Sequence, residues 1–248
     1  RAVVQIFQQK TLAERLALRG GTALNKLFIQ PACRYSEDID LVQTQAGPAG
    51  ALIDTIRKTL DPWLGKPSRA HARGGFSLIY RFVSEIAPVR PLRLKIEINT
   101  REHFTVMGFQ PLTLTMASPW FTGTASVQTY QLDELMGTKL RALYQRRKGR
   151  DLFDLWLCLS RNFVDPNRVV ECFLRYMEHK KHPVSRAQFE QNLHDKRTDA
   201  AFMEDIKPLL SASTNYDPSE ALAYVHDTLI ARLPGNPWRG TSGRAIER

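Results

Sequence analysis

The hydrophobic rhythm of this chain changes near Gln131, and that change constrains the fold more than any other feature. Before it, apolar residues alternate with charged ones. In Leu92–Asn99, Leu92, Leu94, Ile96 and Ile98 point one way and Arg93, Lys95, Glu97 and Asn99 the other, the period of a strand with one buried face. After it, apolar spacing is helical through Leu132–Arg146, Asp151–Leu159, Asn167–Glu178, Arg186–Leu193, Ala200–Leu210 and Ser219–Leu233. Gly149, Pro166, Pro183 and Pro218 punctuate these stretches. The expectation is an α+β protein: a small mixed sheet with helices over residues 1–130, a helical bundle over 131–233, and a poorly packed Gly-, Pro- and Arg-containing tail over 234–248.

In the first part the pattern predicts a helix over Ala2–Leu18, broken by Gly20 and Gly21. Thr22 then caps a second helix to about Phe28, and a loop runs from Pro31 to Ser36. Asp38–Val42 reads as a strand, Ala49–Trp63 as a helix, and Phe76–Val83, Leu112–Met116 and Val127–Tyr130 as further strands. With 248 residues, 43% of them hydrophobic, the chain can bury a substantial core. Apolar runs are short and interrupted by charges, which excludes a membrane-spanning helix, and no signal peptide is visible. The start, Arg1-Ala2-Val3-Val4, lacks Met and reads as a cut inside a longer protein. Cys33, Cys158 and Cys172 have no metal-type spacing and read as buried thiols, which fits a reducing cytoplasm. The net charge of +10 favours polyanionic partners, although basic chains are also basic for solubility alone.

The chemistry is concentrated between Arg19 and Leu41. Asp38 and Asp40 are two apart on a predicted strand, so both carboxylates leave one face while Ile39 and Leu41 enter the core. Like charges side by side repel, and a divalent cation removes the conflict. Mg²⁺ (or Mn²⁺) is typically held by one or two carboxylates together with substrate phosphates. Upstream, Gly20 and Gly21 allow close backbone approach, and Thr22 opens a helix start that favours an anion. Lys26 lies one turn in, and Arg34 precedes the strand, so the segment reads as a triphosphate cradle beside a metal site. Either half alone is commonplace: Asp-X-Asp occurs on solvated strand edges, and Gly-Gly-Thr is a turn and a cap. Both in order, separated by a helix and a loop, are much less expected by accident.

Glu97 is read either as a third carboxylate, ligand or general base, or as an exposed strand residue paired with Lys95 or Arg93. In the helical part Asp151 and Asp154 share a helix face. Lys139 stands among Leu135, Leu140 and Leu143, where it could neutralise triphosphate charge with an aspartate orienting it. The competing reading of Arg146–Arg150 is a solvated face closed by ion pairs, Asp151 with Arg147 or Arg150, or a contact with a polyanion.

Gly20-Gly-Thr-Ala-Leu24, Arg34-Tyr-Ser-Glu-Asp-Ile-Asp-Leu41, Lys139-Leu-Arg-Ala-Leu and Arg150-Asp-Leu-Phe-Asp-Leu-Trp156 together resemble the AbiEii/AbiGii nucleotidyltransferase toxin family, within the DNA polymerase β-like nucleotidyltransferase superfamily. The resemblance spans roughly residues 10–160. It departs mildly from the superfamily where Gly21-Thr22 stands for Gly-Ser, which keeps the hydroxyl. It implies metal binding by Asp38 and Asp40, phosphate contacts near Thr22 and Ser36, a nucleotide contact from Lys139, and a late acidic motif at Asp151 or Asp154. It also implies a nucleoside triphosphate substrate, a cognate antitoxin of type IV toxin–antitoxin systems, and transfer of a nucleotide with release of pyrophosphate. Some relatives act on the tRNA 3′ end and others are linked to GTP. The expected acceptor is the tRNA 3′ end. A protein or small-molecule hydroxyl, and a catalytically silent RNA- or partner-binding module, stand as alternatives.

Overall fold

The computed structural model describes residues 1–72 and 74–240. The chain divides into two compact units, Arg1–Gln131 and Leu132–Arg248.

The first unit is built on a mixed sheet of seven strands: β1 (Leu16–Arg19), β2 (Asp38–Gln43), β3 (Ser68–Ala72), β4 (Gly75–Val83), β5 (Pro91–Asn99), β6 (Phe109–Ser118) and β7 (Phe121–Tyr130), in the order β3-β4-β5-β2-β1-β7-β6. Its helices are α1 (Ala2–Gln8), α2 (Lys10–Arg15), α3 (Gly20–Ala23), which continues into a π-helical turn at Leu24–Phe28, and α4 (Gly50–Leu64). The central strands β2 and β5 run parallel, with Asp38 opposite Lys95 and Asp40 opposite Glu97. On one face Ile39, Leu41, Ile96, Ile98 and Leu78 are almost wholly buried. Each such burial contributes about 1.5–3 kcal/mol. Tyr80, on this same face, donates its hydroxyl to Asp61 of α4 at 2.9 Å. The helix layer therefore covers the apolar side and leaves the carboxylates on the other.

The predicted helix over Ala2–Leu18 is instead two short helices and a strand. Gln9, at φ −80° and ψ 112°, interrupts the helix, and Leu16–Arg19 pairs antiparallel with β2 and parallel with β7. Leu16, Ala17 and Leu18 are fully buried. A strand enclosed on both sides carries a continuous apolar run, which periodicity alone does not separate from a helix. The sheet is also larger than expected: β3 went unread, and β6 and β7 extend beyond the short segments the sequence suggested.

The second unit comprises α5 (Leu132–Gln145), α6 (Gly149–Ser160), α7 (Pro166–His179), α8 (Arg186–Arg197), α9 (Ala200–Glu204) and α10 (Pro218–Thr228), with 3₁₀ turns at Lys207–Leu209 and Ile230–Arg232. Side-chain caps set several starts: Asp165 for α7, a Ser185/Gln188 capping box for α8, Asp199 for α9 and Asp217 for α10. Of the expected tail, residues 241–248 lie outside the described residues. Within the rest, the Trp238 backbone N–H donates to Glu190 at 2.6 Å. No helix among the described residues is long and apolar enough to cross a membrane.

Candidate active site

Asp38 and Asp40 stand on the uncovered face of β2, half-buried, while Ile39 and Leu41 fill the core. The register adds the carboxylate of Glu97 directly across from Asp40 and the side chain of Arg19 on its other flank. Glu97 forms an ion pair with Lys95 on its own strand, as one of its two readings expected. Among the described residues no group of three or more His, Cys, Asp or Glu side chains converges on a common cation position.

Asp38 is an uncomfortable carboxylate. Its Oδ1 is buried and makes no hydrogen bond to any described residue, and the nearest cation, Arg93 Nη2, is 3.9 Å away. Burial pushes its pKa above the ordinary value, with Glu97 and Glu37 adding to the effect and Lys95 and Arg93 opposing it. A buried acceptor without a partner requires an explanation, and a bound cation is one.

The segment Gly20–Ser36 is packed against these carboxylates. Gly20 adopts φ +72°, and a Cβ there would lie 2.1 Å from Asp40 Oδ2. A Cβ on Gly21 would lie 2.6 Å from Arg34 Nη2 and 3.0 Å from Ser36 Oγ. An added methyl would therefore displace the ends of these site side chains, and at Gly20 the left-handed backbone also favours glycine. Thr22 does not cap the helix. The helix begins two residues earlier, at Gly20, and the buried Thr22 hydroxyl instead donates to the Asp38 carbonyl and lies 2.9 Å from Ser36 Oγ. Arg34 is buried, and its Nη1 donates to the Tyr35 carbonyl at 2.8 Å. Lys26 is exposed on the π-helical turn. A cavity of about 80 Å³ beside the carboxylates is lined by Arg19, Asp40, Gly75, Glu97 and Asn99 among others.

Arg19 was not singled out by sequence. It donates to Glu102 at 2.9 Å. Burial works against its charge, yet Tyr130, Glu102 and Asp40 outweigh it and raise its pKa. Its position next to Gly20 was the available signal, whereas Glu102, in the segment after β5, offered none.

In the second unit Lys139 of α5 sits between the two aspartates of α6, 3.2 Å from Asp151 Oδ1 and 2.9 Å from Asp154 Oδ2. Lys139 touches both aspartates, Asp151 and Asp154. Both aspartates are completely buried, and Lys139 is 5% exposed. Asp151 also receives a two-pronged bond from Arg146, at 2.7 and 2.9 Å. The sequence had paired Asp151 with Arg147 or Arg150. Those residues instead reach Asp199 and Asp205, the residues that flank α9, from the turn after α5 and the first turn of α6. Burial alone would raise the pKa of Asp151, but Lys139 and Arg146 outweigh it and hold it below the ordinary value. Cys158, buried near Asp154, has its thiol pushed up to about 12, which makes it inert.

Comparison with known proteins places the chain in a family. The family model described as nucleotidyl transferase AbiEii toxin, type IV TA system, matches residues 1–224, a longer stretch than the motifs alone covered. No protein of curated function matches the chain in sequence. MenT4, a nucleotidyltransferase toxin from Mycobacterium tuberculosis, is similar in fold with a TM-score of 0.61 at 14% identity, covering 94% of this chain and 82% of that one. JHP933 from Helicobacter pylori gives a TM-score of 0.52 at 17% identity, covering 92% and 86%. Extending over nearly the whole described chain, the family match shows that this protein belongs to the AbiEii family of nucleotidyltransferase toxins of type IV toxin–antitoxin systems.

Proposed function

We propose that the protein transfers a nucleoside monophosphate from a nucleoside triphosphate to the 3′ end of tRNA, using a divalent cation held by Asp38 and Asp40. The observation that carries the metal assignment is the buried Oδ1 of Asp38, which accepts no hydrogen bond from any described residue and has only a long ion pair to Arg93, two residues from Asp40 on the same uncovered face. Bound there, Mg²⁺ or Mn²⁺ would supply positive charge to the triphosphate oxygens and to the reacting phosphorus.

The chain's own residues do the rest. Gly20 and Gly21 let a phosphate approach the backbone that opens α3, beside the hydroxyls of Thr22 and Ser36 and the buried cation of Arg34. Lys26 adds charge at the outer end of this segment. The acceptor hydroxyl attacks the α-phosphorus, the new P–O bond forms as the bond to pyrophosphate breaks, and the hydroxyl proton passes to a carboxylate. Glu97, across the ladder from Asp40, is the group we assign to that transfer. Lys139 is the second unit's candidate for the nucleotide phosphates, its ammonium fixed by Asp151 and Asp154. The net charge of +10 supports an RNA acceptor, and such chemistry belongs in the cytoplasm, where an antitoxin partner would restrain it.

Incubation with total tRNA, Mg²⁺ and each labelled triphosphate in turn tests the reading. Label should enter tRNA, and Asp38→Asn or Asp40→Ala should reduce incorporation by at least about 10²–10³-fold while the circular dichroism spectrum is retained. Undiminished incorporation by either variant removes the metal role, and labelling of protein with none of tRNA moves the acceptor.

A further inference from the structure

Between α8 and α10, wholly within the second unit, lies an open cleft of about 500 Å³ whose wall includes Trp238. Its charge is unbalanced. Arg186 and Arg197 line it with two histidines, His194 and His226, and one carboxylate, Glu190, which is already engaged; His226 Nδ1 also lies 2.8 Å from Asp227 outside the lining. Arg186 Nε donates to it at 2.7 Å, the Trp238 N–H at 2.6 Å, and His226 Nε2 lies 3.0 Å from it. Burial opposes the Glu190 charge, but these bonds outweigh it and hold the pKa below the ordinary value. Glu190 thus anchors the indole-bearing segment and two of the basic groups. Arg197 is left exposed, with no ion pair among the described residues.

The remaining walls match a particular chemistry. The Trp238 and His194 rings lie 4.9 Å apart at a 51° tilt, while Leu193 and Leu222 provide buried apolar surface. Planar bases stack on such rings without regard to sequence, and an arginine beside them takes the phosphate. An acidic peptide would satisfy Arg197 but make no use of the indole face. A volume near 500 Å³ lies in the range of small-ligand sites.

We propose that this cleft is an RNA-binding subsite that takes one unstacked nucleotide, its base against Trp238 and its phosphate against Arg197. The inference rests on the reading that the acceptor is RNA, and it assigns the grip on that RNA to residues outside the proposed catalytic set.

The test is a tryptophan-fluorescence titration of the full chain with a short single-stranded oligoribonucleotide, in buffer without metal or triphosphate. Quenching is expected, and the quenched component should be missing from Trp238→Phe. Trp238→Ala and Arg197→Glu should each weaken binding by about tenfold or more, with Trp238→Phe recovering most of the affinity. In the incorporation assay Arg197→Glu should raise KM for tRNA and leave kcat unchanged. Asp38→Ala should lose incorporation and keep the quenching, which separates failure of the catalytic reading from failure of this one. Equal RNA affinity in Arg197→Glu, quenching that survives in Trp238→Phe, or tighter binding of poly-aspartate than of RNA would each overturn the proposal.

Discussion

Gly20 shows how little freedom the site leaves. Its φ of +72° costs most residues about 1 kcal/mol or more, and a methyl group would stand 2.1 Å from Asp40 Oδ2. Gly20→Ala should therefore lower the denaturant midpoint, by about 1–3 kcal/mol of stability, and abolish incorporation by displacing Asp40. Asp38 should behave in the opposite sense. Because burial raises its pKa above the ordinary 3.8, its charged form costs stability at neutral pH, and that cost fades as the pH falls through the raised value. Asp38→Asn should accordingly melt at a higher temperature than the parent protein at pH 7, with the difference shrinking toward pH 4. Mg²⁺ with a triphosphate should raise the parent's Tm and leave that of Asp38→Asn unmoved. A Tm lowered by Asp38→Asn at pH 7 would contradict the description of a buried oxygen without a hydrogen bond. Spacing alone shows that Asp38 and Asp40 share a face, but it does not show that Asp38 Oδ1 goes without a hydrogen bond. That depends on Arg93 stopping 3.9 Å short.

Among the elements, strands with one solvated face were readable and strands enclosed on both sides were not. Alternation revealed β2, β4 and β5 to within a residue or so, since each keeps a polar side. The burial of Leu16, Ala17 and Leu18 on every side gave β1 the look of a helix. The junction of α5 with α6 is likewise a tertiary product. Lys139 and Arg146 reach Asp151 across a turn, Lys139 from the buried side and Arg146 from the exposed side. Asp151→Ala takes from Lys139 one of its two carboxylates and from Arg146 its partner, so it should cost about 1–3 kcal/mol, measurable by denaturant unfolding. The folded pKa of Asp151 lies below its ordinary 3.8. Its stabilisation is thus complete above that value and is lost only as the pH falls through the lower, folded one. Acid unfolding of the parent should include this step, and Asp151→Ala should lack it. A loss below about 1 kcal/mol would show that these contacts add little to stability.

At the scale of the molecule, a net charge of +10 and the exposed arginines of the second unit set the expectation for RNA. Affinity for tRNA should fall by about tenfold or more between 50 and 200 mM salt, as filter binding would measure, and indifference to salt would favour a small or protein acceptor. The amino-acid sequence by itself determined the side-by-side placement of Asp38 and Asp40, the helical character of residues beyond Gln131 and the family, because each is written in short-range spacing that backbone geometry converts directly into direction. Only the tertiary structure decided that Gly20 lies against Asp40, that Glu97 stands across from it, and that Lys139 is shared by two aspartates. Those contacts depend on strand register and on packing between segments distant in the chain, and no local pattern records which distant segment will supply the neighbour.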